Sequence, residues 1–277
     1  MSQFKYLSDR ILNAVIVKVP FPHLELNGFL SEEHLEEILS DPQIHFEEQP
    51  STERLMQILI TKKYKVQDFP GCTLSSGEYL RNFNRNEWPS KHEACESYGI
   101  TYRLNRIANP VIASLIEYMN SIEFMNSLKQ KFNIDGDTTI VSAIQKNLTG
   151  YEISPHPDIR QKCMTYLLNI NKDDSVDRCK VHTDILKFKS KYEFLYKYWE
   201  DNPTIDRFWV PWDWCDVVKT ISKNNTMIMF PTSDYTLHAI KLDYDHTKWQ
   251  RTQIYGNLMF TEPPDTVRQG HYKEFEI

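Results

Sequence analysis

Glycine is scarce, at eight of 277 residues, and no Gly/Ser tract, internal repeat or low-complexity stretch interrupts the chain. Flexible tethers and repeat arrays are thereby excluded, and no change of composition marks a domain boundary. Cysteines are few, odd in number and scattered, at 72, 95, 163, 179 and 215, with no C-x-x-C pair. Nothing points to a zinc ribbon, a redox pair or a disulfide framework, so reduced structural thiols are expected. Positive charge is not in excess: the formal net charge is −6. No overall basic surface exists to release counterions, and nucleic acid is not an expected partner. Long apolar runs are missing too. Nothing approaches the roughly 20 apolar residues of a bilayer span, and residues 1–19 lack the basic start and small-residue cleavage site of a signal peptide. The reading is a cytoplasmic protein with no membrane contact.

What is plentiful is material for an interior. Hydrophobic residues make up 40% of the chain and aromatics 13%, including 15 Tyr, 14 Phe and 6 Trp. That is enough to build a folded core. The expected organisation is one domain over 1–277, with strand and helical support in 1–137, a β core in 138–261 and a tail over 262–277.

The N-terminal part opens with an apolar run, Ala14 to Val19, that predicts a strand. Pro20 and Pro22 then favour extended backbone at a sheet margin as far as Leu26. Ser31 is suited to cap a helix over 32–41, with acids in its first turn and Leu35, Ile38 and Leu39 along one face. Asn109-Pro110 starts a second helix, with Pro110 at the first helical position and Ile112, Leu115, Ile116 and Met119 in one stripe. Ser121 caps a third, running to Phe132. These helices are expected to buttress a sheet.

From residue 138 the pattern becomes short β-rich runs: 138–144, 163–170, 181–188, 226–230, 236–242 and 252–261, with turn residues 171–174 between two of them. Succession of short strands predicts a sandwich or barrel. An insertion over 189–214 breaks the series. Tyr192, Leu195, Tyr196 and Trp199 fall at helical spacing there, followed by Trp209, Trp212 and Trp214, and it is expected over the barrel mouth.

The string Gly150-Tyr151-Glu152-Ile153-Ser154-Pro155-His156-Pro157-Asp158 carries the chemistry. In an extended segment, residues two apart share a face, so His156 and Asp158 can reach one ion. A histidine from a distant strand, His238, completes a set of two imidazoles and one carboxylate. Such a set caps one side of an octahedral iron(II) and leaves the other side open. Alone, H-x-D specifies little, since an isolated histidine is more often a surface or hydrogen-bonded core residue. The order of further residues adds to it. Thirteen residues after His238 stands Arg251-Thr252 at the start of a β-rich run. A guanidinium can grip a carboxylate of a dicarboxylic cosubstrate bidentately, although by itself Arg251 reads equally as a surface ion pair.

H-x-D, a distal His, then Arg followed by Thr resembles the iron(II)- and 2-oxoglutarate-dependent oxygenase superfamily over residues 140–261. Met164-Thr165-Tyr166-Leu167-Leu168-Asn169 is similar to the strand after H-x-D in the prolyl-hydroxylase-like branch. Pro20-Phe21-Pro22-His23 with Asn27-Gly28-Phe29-Leu30 is similar to that branch's strand-then-helix entry. The resemblance implies a mainly β, α+β chain: a double-stranded β-helix of jelly-roll or cupin-like type, buttressed by N-terminal helices. It implies Fe(II), 2-oxoglutarate and O2 as cofactor and cosubstrates, with His156, Asp158 and His238 on the metal. Arg251, Thr252 and Tyr166 would hold the cosubstrate; for Tyr166, core packing is an equal alternative. 2-Oxoglutarate would become succinate and CO2 while a small molecule or a peptidyl side chain is hydroxylated.

Gln145, Asn147 and Trp212 are candidates to line the substrate, against the plainer readings of strand amides and core aromatics. His246 reads as a loop residue. His182-Thr183-Asp184 is a second H-x-D that would move two of the three ligands. The competing functional classes are a non-oxygenase cupin-like metal- or sugar-binding module, which leaves Arg251 without a role, and a structural β-sandwich with no metal. Substrate identity and oligomeric state are not specified by the residues.

Overall fold

The computed structural model describes residues 2–67, 75–82, 94, 99–171, 177–179, 181–262 and 264–266. The β-rich second half forms eight strands: β4 (Thr138–Asn147), β5 (Glu152–His156), β6 (Lys162–Asn169), β7 (Thr183–Phe188), β8 (Cys215–Ile221), β9 (Thr226–Pro231), β10 (His238–Lys241) and β11 (Arg251–Phe260). With β1 (Leu24–Asn27), β2 (Tyr64–Val66) and β3 (Thr101–Leu104) they build two antiparallel sheets. The large sheet runs β1-β9-β6-β11-β4-β3-β2 and the small one β5-β10-β7-β8. Apart from the adjacent pair β7 and β8, the chain from β4 to β11 changes sheet at every connection. That alternation is a double-stranded β-helix.

Side chains alternate across the large sheet as the strand period of two requires. On its outer face Met164, Tyr166, Leu168, Met227, Met229 and Ile254 join one cluster with the N-terminal helices. Those helices are α1 (Tyr6–Asn13), α2 (Glu32–Ser40), α3 (Thr52–Thr61), α4 (Ser76–Asn82), α5 (Pro110–Met119) and α6 (Ile122–Phe132). Between the sheets lies a second cluster of Phe21, Leu167, Ile185, Ile221, Ile228 and Phe230. Each such side chain withdrawn from water contributes roughly 1.5–3 kcal/mol, which fixes strand register because a one-residue slip would reverse every face.

Three expected caps are present. Ser31 Oγ accepts from His34 N, Ser121 Oγ accepts from Phe124 N, and Asn109 Oδ1 accepts from both Val111 N and Ile112 N. The run from Ala14 to Val19 is not a strand. Only Val17 pairs, in an isolated bridge to His23, and Val15 and Val19 stand exposed. The returning arm contains Pro20 and Pro22, which have no N–H to extend a ladder. The insertion holds α7 (Phe194–Asp201), whose Leu195 and Trp199 pack with Leu186, Phe188, Leu237 and Ala239 of the small-sheet side. Cys163 and Cys215 are free thiols, whereas Cys72, Cys95 and the turn residues 172–174 lie outside the described residues. No helix among the described residues is long and apolar enough to cross a membrane.

Candidate metal centre

β5 and β10 lie side by side in the small sheet, and His156 is the register partner of His238. Two steps along β10, Ile240 pairs with Ile153, three steps back along β5. The extra residue in β5 is a β-bulge at Ser154-Pro155, and it re-phases the alternation so that Ile153 and His156 both line the cavity. Pro155 brings no N–H to this irregular stretch, and its carbonyl accepts from Val210 N at 2.9 Å.

The two rings lie 4.4 Å apart, centroid to centroid. His156 Nδ1 is 2.8 Å from Ser154 O and His238 Nδ1 is 3.0 Å from Thr236 O. Carbonyl oxygen only accepts, so each Nδ1 carries the hydrogen and each Nε2 presents a lone pair. Both Nε2 atoms face Asp158, His156 at 3.8 Å from Oδ1 and His238 at 3.7 Å from Oδ2. These distances are too long for hydrogen bonds. All three ligand atoms lie within 4.8 Å of one another and all three residues are buried.

Burial, then the neighbouring His238, lowers the His156 pKa to about 3, and burial lowers that of His238. Both imidazoles are therefore neutral at physiological pH. Burial alone would raise Asp158, but Lys162 and the two histidines reverse it and hold the carboxyl well below the usual range. Lys162 Nζ stands 2.5 Å from Asp158 Oδ1, and Thr165 Oγ1 donates to Oδ2 at 2.5 Å. The result is two neutral nitrogen lone pairs and one carboxylate converging with no proton between them. Such a donor set suits a divalent transition metal.

The ligands line a cavity between the sheets. On the large-sheet wall stand Arg251, Gln253 and Tyr255 from β11, with Gln145 from β4 and Lys162, Thr165 and Leu167 from β6. Arg251 is 2% exposed. Its Nε donates to Val181 O at 2.5 Å and its Nη1 donates to Asn147 Oδ1. It has no ion pair with a described residue, and burial lowers its pKa to about 10. A buried guanidinium without an acid partner among the described residues, facing a cavity, suits an anion.

Of the residues expected at the site, His156, Asp158, His238, Arg251 and Gln145 meet around this cavity. Asn147 stands behind it: its carbonyl oxygen props Arg251 and its Nδ2 donates to Thr101 Oγ1. Thr252 and Tyr166 do not reach the cavity. Both sit on the outer face of the large sheet, Thr252 accepting from Lys146 Nζ and Tyr166 hydrogen-bonded to Ser142 Oγ at 2.6 Å. For Thr252 the reason is the strand period, since its neighbour Arg251 already faces inward. Trp212 is not a lining residue either; its Nε1 donates to Glu152 Oε1 at 2.7 Å. Trp209 stands nearer, its ring 6.0 Å from that of His156. The second H-x-D does not form a site. His182 Nε2 meets Asp177 O, Asp184 accepts from Thr220, and neither lines the cavity. His246 is in a loop but buried, bonded to Thr52 Oγ1.

Sequence reasoning missed Gln253, Tyr255, Lys162 and Thr165. The first two were within reach, because residues 251, 253 and 255 share one face of a strand. Lys162 carried no signal, as its approach to Asp158 depends on the turn between β5 and β6.

No protein-family model and no curated protein matches the sequence. Among solved structures, a prolyl hydroxylase from Trichoplax adhaerens, in complex with a hypoxia inducible factor oxygen degradation domain peptide fragment, is 12% identical. The match covers 93% of this chain and 90% of that one, at a TM-score of 0.49. A prolyl-4-hydroxylase from Pseudomonas putida is 7% identical over 94% of this chain and 100% of its own, at 0.44. The epimerase SnoN, in complex with Fe3+, alpha ketoglutarate and nogalamycin RO, is 10% identical over 95% and 87%, also at 0.44. Prolyl hydroxylases and an epimerase in complex with alpha ketoglutarate are thus among the structural neighbours of this chain, and at such scores only its own residues speak to its chemistry.

Proposed function

We propose that the chain is an iron(II)- and 2-oxoglutarate-dependent oxygenase, with His156, Asp158 and His238 holding the metal and Arg251 gripping the distal carboxylate of the cosubstrate. The observation that carries this reading is the convergence of two neutral imidazoles and one carboxylate on a cavity whose wall also bears a buried guanidinium with no acid partner among the described residues. When bound, iron(II) with 2-oxoglutarate supplies the oxidising chemistry: O2 and 2-oxoglutarate are consumed, succinate and CO2 are released, and a substrate C–H bond becomes C–OH.

The chain's own work is positional. Ser154 O and Thr236 O fix the ring tautomers, so the same nitrogen of each histidine faces the metal position. Lys162 and Thr165 each hold one oxygen of Asp158, which keeps the carboxylate ionised and its plane oriented. Tyr151, Ile153, Leu167 and Ile240 line the cavity with apolar surface and exclude water from it. The substrate is a small molecule or a peptidyl side chain.

A cupin-like binding module would give Arg251 no task, and a structural sandwich would leave three converging acceptors unexplained. The test is anaerobic titration with iron(II) and then 2-oxoglutarate, following the weak visible charge-transfer absorption of the chelate. Wild type is expected to develop the band, His238→Ala to lose it, and Arg251→Ala to need at least about tenfold more 2-oxoglutarate. Absence of the band in wild type would reject the cosubstrate assignment.

A further inference from the structure

A groove between the turn after Asp158, the insertion and the β9–β10 turn is lined by Arg160, Arg207, Ser233 and Asp234 among others. Arg207 is the residue without an explanation. It is 5% exposed, yet its guanidinium donates no hydrogen bond to a described residue, and its Nε is buried without an acceptor. Its described ion-pair partner is Asp234, at 3.5 Å, and the same carboxylate oxygen is shared with Arg160 at 3.4 Å. Arg160 by contrast is well satisfied, its Nε donating to Ile205 O and its Nη2 to Trp199 O. A guanidinium has five N–H groups, and buried ones rarely go unused unless a ligand takes them.

The position matters as much as the lack of partners. Arg207 is two residues from Trp209, whose ring lies against metal-site His156, and Arg160 is two residues from Asp158. The exposed rim of the groove carries Asp135, Glu200 and Glu262. With Asp234, four acids face two arginines, which turns away polyanions and tolerates a cationic group beside Arg207.

We propose that Arg207 is the receptor for a carboxylate of the substrate, and that the substrate is a small amino-acid-like molecule, a carboxylate with a cationic neighbour. The proposal rests on the oxygenase reading and names its substrate class. Planar carboxylate matches the guanidinium fork, and bidentate contact would orient the substrate from this groove.

The test is saturation-transfer NMR on the protein supplemented with zinc(II) and 2-oxoglutarate, using the common L-amino acids as probes and, for each that binds, its carboxamide. At least one amino acid is expected to bind, with its carboxamide weaker by about tenfold or more. Arg207→Gln should weaken the acid by a similar factor and leave the carboxamide unchanged, which a merely structural role would not do. Should that variant fail to fold, the comparison of acid with carboxamide on wild type still decides. No binding by any of the amino acids, equal binding of acid and carboxamide, or tighter binding of inorganic phosphate would each overturn the proposal. The iron(II) and 2-oxoglutarate absorption band does not depend on Arg207, so its presence or absence separates failure of this proposal from failure of the oxygenase reading.

Discussion

Gly256 shows how far one hydrogen atom in place of a side chain can matter. An alanine Cβ there would lie 2.1 Å from Tyr166 Cζ, so the ring crosses the strand where glycine leaves room. The ring has no slack, because it packs edge-on to Phe124 and bonds to Ser142. Gly256→Ala should therefore destabilise by on the order of 3 kcal/mol in urea unfolding, and Tyr166→Leu in the same chain should recover part of that loss. Lys146 is a second residue with a measurable signature. It is buried, donating to Ile44 O and Thr252 Oγ1, and burial lowers its pKa to about 7. Between that value and the usual value near 10.5 the unfolded chain holds the extra proton, so this group's contribution to stability rises with pH across the window. Relative to Lys146→Met, wild type should gain on the order of 2 kcal/mol between pH 7 and pH 9.5, read from unfolding curves at both values. A flat difference would refute the assignment. Neither feature was legible in the sequence. Nothing in the residues around Gly256 or Lys146 marks either position. The convergence of His156, Asp158 and His238 was legible because metal chemistry restricts residue type, spacing and order together. Tyr166 and Thr252 were misplaced because residue type says nothing about which face of a strand is in use.

Six of the core strands and three of the helices carried a pattern of their own and were read as such, whereas elements without one were missed. Ser31, Asn109 and Ser121 announced three helix starts because a cap is a contact within one turn. β8 escaped notice. It is an edge strand whose residues from Asp216 to Thr220 are exposed, so no apolar alternation marks it, and only pairing with β7 makes it a strand. The bulge in β5 is likewise invisible in one dimension, although Pro155 hints at it. Its effect can be tested by removing a single residue. Deleting Pro155 leaves Ile153 and the histidine two apart, so simple alternation keeps both facing the cavity and both opposite their partners on β10. The variant is expected to keep the charge-transfer band and the far-ultraviolet circular dichroism of wild type. Loss of the band with unchanged circular dichroism would mean that the bulge itself aims the ligand.

At the scale of the whole molecule, the proposed metal ligands His156 and His238 belong to the small sheet and Arg251 to the large one. Asp158 leaves the small sheet but is held by Lys162 and Thr165 of the large one. A cosubstrate bound to metal and guanidinium at once touches both layers. Zinc(II) together with 2-oxoglutarate should thus raise the unfolding temperature more than zinc(II) alone, and Arg251→Ala should abolish the extra increment. The arrangement also makes the site a gauge of the spacing between its walls. Under the proposed function, metal and arginine act as two jaws whose opening is set by everything packed between and behind the sheets. A substitution on the helix side, far from any ligand, can then loosen cosubstrate binding by splaying the jaws a fraction of an ångström, and tightness of grip becomes a property distributed over the entire fold.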